Sequence, residues 1–214
     1  MLAALRASPA IEIVGVIRST RIDAARRVRA SGLRYALYLG CLMARRLHTD
    51  GIPILSTSDV NGSPPRAFVE GLAPDLLVSA FFNQKIDTVL PALNIHPSLL
   101  PAFKGVDPVF HARLAGAPTL GVTVHRLSEK FDSGDVISQE SMSFAPDESV
   151  LRLTERLYAH GAHLLLKSLS KIGEAKPQAG PGNYDSWPSR AQVAALRAKG
   201  VRLVRLRELL ARSA

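Results

Sequence analysis

A single cysteine, Cys41, stands among 214 residues. That excludes an internal disulfide and a cysteine-ligated zinc centre, and it suits a reducing compartment. Long apolar runs are also missing. Residues 37–43 form an apolar stretch that is much too short for the roughly 18 residues a membrane span requires. The opening segment MLAALRASPAIEIVGVIRST has no charged portion followed by an apolar one, so no secretory signal is read there and a soluble, cytoplasmic protein is expected. Internal repeats and low-complexity tracts are absent too. What is present is ordinary for a folded chain: 47% hydrophobic and 21% charged residues exclude wholesale disorder. A chain of this length buries roughly 70% of its unfolded surface and needs no covalent staple.

The net charge of +9 is unevenly spread. Residues 1–50 hold nine Lys/Arg against three acids, residues 51–150 six against eleven, and residues 151–214 twelve against four. Basic flanks around an acidic centre suit a polyanion such as tRNA, a nucleotide-linked substrate or a polyglutamylated cofactor. They equally suit arginine used as a solvating residue on helix faces.

Short β-branched runs bounded by turn residues predict strands at 10–17, 52–55, 76–82, 93–96, 121–125 and 135–139. Helices are expected at 2–8, over 23–48 with a break near Ser31-Gly32, at 109–114 and over 148–171. Residues 56–65 read as turn chemistry, with Asn61-Gly62 and Pro64-Pro65 as breakers. Alternating strands and helices indicate an α/β protein with a mostly parallel sheet. Composition divides the chain into a catalytic domain over 1–174 and, over 175–214, a Pro/Gly-rich linker followed by a basic tail. In that tail Ser189 caps a helix that Gly200 stops. Residues 201–206 do not alternate as a half-buried strand would, so an amphipathic end helix or an oligomer contact is expected there.

One stretch carries chemistry. A strand ending Asn94-Ile95-His96 puts an amide and an imidazole on one face, because strand side chains repeat every two residues. Pro97 then turns the chain away, leaving both groups at a strand's carboxyl end, where open α/β sheets bind ligands. An amide N–H and an imidazolium together stabilise an oxyanion. A carboxylate such as Asp132 would fix the ring's tautomer and favour its charged form. The set suits acyl transfer without a covalent enzyme intermediate. Ser98 lacks a Gly-x-Ser-x-Gly setting and reads as a turn-stabilising hydroxyl. His48, His111, His160 and His163 read as ordinary structural histidines.

The motifs NIHPSLLPAFKG, GVTVH and FDSGDVISQE together closely resemble the formyltransferase superfamily that uses 10-formyltetrahydrofolate, over roughly residues 53–169. The resemblance implies a Rossmann-like open, mostly parallel sheet with flanking helices. It implies Asn94 and His96 as the oxyanion-stabilising pair, and Asp132 as the group that orients the histidine and helps remove the amine proton through water. It also implies a pterin held by two loops: Phe82, Asn83, Gln84 and Lys85, and Leu127, Ser128, Glu129, Lys130 and Phe131. No metal is implied. Lys85 departs from the more apolar pattern of the family's first loop.

The family opens with a strand and a turn before its first helix, whereas residues 2–8 here already read as that helix. The expectation is therefore a sheet apparently lacking its first strand, with a start lying upstream. The missing turn disfavours a glycinamide ribonucleotide acceptor, and the last 40 or so residues cannot hold the further domain of the methionyl-tRNA enzymes. A small amine such as an amino-sugar nucleotide is expected as acceptor, with tRNA weakly supported and a homo-oligomer allowed. Two alternatives stand beside transfer: hydrolysis of 10-formyltetrahydrofolate, and a non-catalytic folate-binding or interaction module.

Overall fold

The computed structural model describes residues 1–21, 24–44 and 51–210. His48 and the end of the helix expected over 23–48 lie outside them. Helix α1 (Leu2–Arg6) leads through an irregular segment to strand β1 (Val16–Ser19), so the strand expected at 10–17 begins later than its β-branched run. Helices α2 (Ala24–Ser31) and α3 (Leu33–Met43) are separated at Gly32, whose φ of 87° ends the first of them. Strand β2 (Ile54–Thr57) precedes helix α4 (Ser63–Leu72).

That helix was missed as turn chemistry. Its prolines sit in the first turn, where a missing N–H costs no hydrogen bond, so they start the helix rather than break it. Then come strands β3 (Leu77–Ala80), β4 (Ala92–His96) and β5 (Lys104–Gly105), helix α5 (Pro108–Ala115), and strands β6 (Leu120–Arg126) and β7 (Val136–Met142). Helix α6 (Val150–Ser168), strand β8 (Tyr184–Asp185) and helices α7 (Arg190–Ala198) and α8 (Leu206–Leu210) complete the chain. No helix of the described residues is long and apolar enough to cross a membrane.

The fold is the expected α/β type, with helices flanking parallel-rich sheets. Strand order in the main sheet is β3-β4-β6-β7. β3 and β4 run parallel, while β6 is antiparallel to both of its neighbours. β5 and β8 form a separate parallel pair. β1 and β2 also pair in parallel, but among the described residues they share no ladder with the main sheet. A cavity of about 1570 Å³ lies between the two pieces, lined by β1 on one side and β3 on the other. Parallel pairing to β2 turns alternate β1 backbone groups away from that partner, so the break leaves strand edges facing the cavity.

Helix α6 covers the main sheet with a fully buried stripe that includes Leu153, Leu157, Ala162 and Leu165. Gly161 permits this approach, since a Cβ there would run into Ile95 of β4. Packing continues past the compositional boundary at 174/175. Residues 175–210 contribute buried Val193, Leu196, Val201 and Leu203 to the same core. The stretch 201–205 is not helical. It lies along the start of α6, where Val150 and Leu151 N–H groups donate to the Arg202 and Leu203 carbonyls at 2.9 Å. The Ser189 cap forms as expected, as a capping box with Gln192.

α3 is fastened to α5 by a half-buried carboxylate. Tyr35 and Tyr38 hydroxyls donate to Asp107 at 2.9 and 3.1 Å, and Asp107 caps α5 by accepting from the Phe110 N–H. Burial pushes the Asp107 carboxyl up, and the tyrosine hydroxyls offset only part of that. Tyr38→Phe removes one donor from a half-buried acceptor and is expected to cost about 1 kcal/mol. Equilibrium urea unfolding measures this; an unchanged midpoint and slope would refute the role given to the hydroxyl.

Candidate active site

β4 carries Asn94 and His96 on one face, and antiparallel β6 brings two more polar side chains beside them. The register pairs Asn94 with His125 and His96 with Thr123. Thr123, fully buried, donates to the Ser98 carbonyl at 2.6 Å and accepts from the Leu100 N–H at 3.1 Å. It thereby pins the turn that follows His96. Ser98 itself donates to the Ala102 carbonyl at 2.7 Å, the turn-stabilising role expected of it.

Asp132 arrives from the β6–β7 connection. Its backbone is left-handed, with φ of 53°, and the Gln178 amide clamps the loop by donating to the Asp132 and Gly134 carbonyls at 2.8 and 2.9 Å. Gly134 is required there, because any Cβ would run into the Arg126 carbonyl. So held, Asp132 accepts from the Gly105 N–H at 2.8 Å and from Asn94 Nδ2 at 3.2 Å. Its Oδ1 also lies 3.3 Å from His96 Nδ1 and 3.7 Å from His125 Nε2. The structure thus brings Asn94 and His96 within hydrogen-bonding reach of one Asp132 oxygen.

His125 is the residue that sequence reading left without a role. It is 1% exposed, with Nε2 3.1 Å from Asn94 Nδ2 and Nδ1 2.8 Å from the Arg126 carbonyl. That carbonyl keeps the proton on Nδ1 in the neutral ring and turns Nε2 towards Asn94 and Asp132. Antiparallel pairing of the GVTVH run with NIH would have revealed it; the parallel sheet expected from the strand–helix alternation concealed it. The other histidines lie elsewhere: His111 donates to the Ser186 carbonyl, His160 pairs with Glu140, and His163 donates to the Ala159 carbonyl.

Burial pushes Asp132 up, but His125, His96 and the Gly105 N–H together bring it below the usual carboxylate range, so it is ionised at neutral pH. His96 moves the other way from the sequence expectation. Its two nitrogens face acceptors, Phe103 O at 2.9 Å and Asp132, which favours the imidazolium. Burial outweighs both and lowers its pKa below 6.5.

The loops expected to hold a pterin line the large cavity beside these groups, with one exception. Phe82, Asn83, Gln84, Lys85, Leu127, Ser128, Lys130 and Phe131 all face it, as do Asn94, His96 and Asp132; Glu129 does not. Gln84 is 5% exposed, and its amide is already engaged, donating to Ser19 at 2.8 Å and accepting from the Val60 N–H at 3.1 Å. It therefore acts as a brace for the loop. The apolar walls and the polar cluster at one edge fit a flat ligand whose reactive end meets Asn94, His96 and Asp132.

The shifts of His96 and Asp132 have the same consequence for stability. Unfolded, His96 takes up a proton near pH 6.5, and folded it does so only at lower pH. Its contribution to stability is therefore present above pH 6.5 and lost as the pH falls through that value and below. Asp132 adds a loss at still lower pH. Asp132→Asn removes a charge that raises the His96 pKa, so the His96 midpoint, followed by carbon–proton NMR of the ring, is expected to fall further. A wild-type midpoint above 6.5, or a rise in the variant, would contradict this account.

Residues 66–169 match the formyl transferase family model. A methionyl-tRNA formyltransferase of Anaplasma marginale is 33% identical over 131 residues, which are 56% of this chain and 42% of that protein. The chain thus spans less than half of that relative. Among solved structures, HypX of Aquifex aeolicus in complex with tetrahydrofolic acid aligns with a TM-score of 0.58 at 19% identity, over 83% of this chain and 30% of that one. PseJ of Anoxybacillus kamchatkensis, solved with UDP-4,6-dideoxy-4-formamido-L-AltNAc and tetrahydrofolate, aligns at 0.51 with 20% identity, over 80% and 85% of the two chains. These two likenesses concern the fold. The matched segment contains β4, β6 and the Asp132 loop, and over residues 66–169 the chain is similar to the formyl transferase family.

Proposed function

We propose that this chain transfers a formyl group from 10-formyltetrahydrofolate to an amine. One observation carries the reading: an amide, an imidazole and an ionised carboxylate meet at a single oxygen, Asp132 Oδ1, on the edge of a cavity large enough for a flat cofactor. Support comes from the family match and from the tetrahydrofolate complexes of HypX and PseJ. When bound, the folate supplies an electrophilic formyl carbon at that edge.

The residues divide the work as their environments dictate. Asn94 offers amide N–H groups to the oxygen that gains charge on attack, and His96 supports the same oxygen from the neighbouring strand position. Asp132 keeps both aligned and, being ionised, draws the proton of the attacking amine through water. His125 is a positioning residue, bracing the Asn94 amide from β6. No covalent enzyme intermediate is needed. A small amine, such as an amino-sugar nucleotide, is the acceptor we favour. Methionyl-tRNA is less favoured, because Arg205 in the basic C-terminal segment is already paired with Asp147.

The test is formyl transfer from 10-formyltetrahydrofolate to a panel of amines, with formate release measured in parallel. Asn94→Ala, His96→Ala and Asp132→Ala are each expected to lower kcat by about 10²–10³-fold while circular dichroism stays unchanged. Full activity in any folded variant refutes the assignment. Release of formate at equal rates with and without amine would replace transfer by hydrolysis, and folate binding with no release at all would leave a binding module.

A further inference from the structure

The segment 51–150 is acidic overall, yet its three lysines, Lys85, Lys104 and Lys130, line one cleft of about 400 Å³. They come from three separate places: the loop after β3, strand β5, and the loop before Asp132. Among the described residues none of the three has a carboxylate within ion-pair distance. Lys104 is 7% exposed, and its ammonium has only the Pro181 carbonyl at 2.8 Å and Ser133 Oγ at 3.5 Å. A nearly buried ammonium held only by neutral oxygens, with two more cations at the rim, is a concentration of positive charge that lacks its counter-charge.

The walls of the cleft are aromatic and fixed. Phe131 and Tyr184 stay 38% and 57% exposed there, although each is large and apolar. Tyr184 belongs to β8, which pairs with β5. Asn183 beside it is tied to the Phe103 N–H at 2.7 Å and to the Lys104 N–H at 3.1 Å. The compositional linker is therefore a rigid side of the cleft. Cations set between exposed rings form the arrangement that holds a nucleotide, with the base stacked and the phosphates paired.

Position ties the cleft to the chemistry. Ser133 follows Asp132, and Lys104 precedes the Gly105 whose N–H binds the Asp132 carboxylate. Lys85, Lys130 and Phe131 face both this cleft and the large cavity, whereas Lys104 and Ser133 face the cleft alone. The two spaces thus share a wall beside Asp132, which itself faces the large cavity.

We infer that this cleft is a nucleoside-phosphate site, seating the phosphate end of the acceptor on Lys85, Lys104 and Lys130 with its base against Phe131 and Tyr184. Its link to an acceptor rests on the formyl-transfer reading; the binding itself does not. Three ammonium groups around one small cleft match a compact, multiply charged phosphate.

Direct binding to the full chain, without folate or turnover, tests it. Isothermal titration with uridine and adenosine 5′-diphosphate, inorganic phosphate and p-aminobenzoyl-triglutamate is run at two salt concentrations. A nucleoside diphosphate is expected to bind saturably and more weakly at the higher salt. Lys85→Ala and Lys130→Ala are each expected to weaken it by about tenfold, the loss of one charge-assisted contact. Tyr184→Ala, with its circular dichroism checked, should weaken the nucleotide but leave inorganic phosphate unchanged. Absence of saturable nucleotide binding, wild-type affinity in both lysine variants, or tighter binding of the triglutamate than of either nucleotide overturns the inference. Because no turnover is read, nucleotide binding by a chain inactive in transfer would refute only the transfer reading. Transfer without nucleotide binding would refute only this site.

Discussion

The Asp132 carboxylate is the point on which the site is built. A buried anion survives only where donors replace its lost water, and here the Gly105 N–H, the Asn94 amide and the His96 ring do so. Gly105 belongs to β5, and Asn94 and His96 belong to β4. Satisfying one charge therefore fixes how two strands stand relative to the loop that delivers it. The left-handed backbone at Asp132 and the bare Gly134 are the local costs of bringing that loop so close, and the Gln178 clamp offsets them.

Much of this was legible in the sequence. The period of two along Asn94-Ile95-His96, followed by a proline, placed an amide and a ring together at a strand end, and the spaced motifs supplied the carboxylate. Other features depended on pairing direction and packing, which local pattern does not encode. His125 becomes visible only once β6 is known to run antiparallel to β4. Helix α4 was hidden because proline reads as a breaker unless its position in the first turn is known. The ionisation of His96 followed burial rather than its carboxylate neighbour, and burial is a property of the folded whole. Residues 175–210 have the composition of a linker and tail, yet Leu196 and Leu203 are core residues.

The sheet divides the molecule energetically. The half built on β4, β6 and α6 encloses its apolar side chains on both faces, whereas β1 and β2 have a parallel ladder on one side and the cavity on the other. Local opening follows the density of buried contacts, so β1 and β2 belong to the less protected part and the catalytic cluster to the more protected one.

Gln84 joins these two parts. One end of its side chain holds Ser19 at the tip of β1 and the other holds the Val60 amide, while its backbone lies in the loop that roofs the cavity. The amide works as a tether. If the N-terminal layer breathes away from the main sheet, it drags the cavity roof with it, so the fit of whatever lies beneath becomes a gauge of how well the front of the molecule is docked.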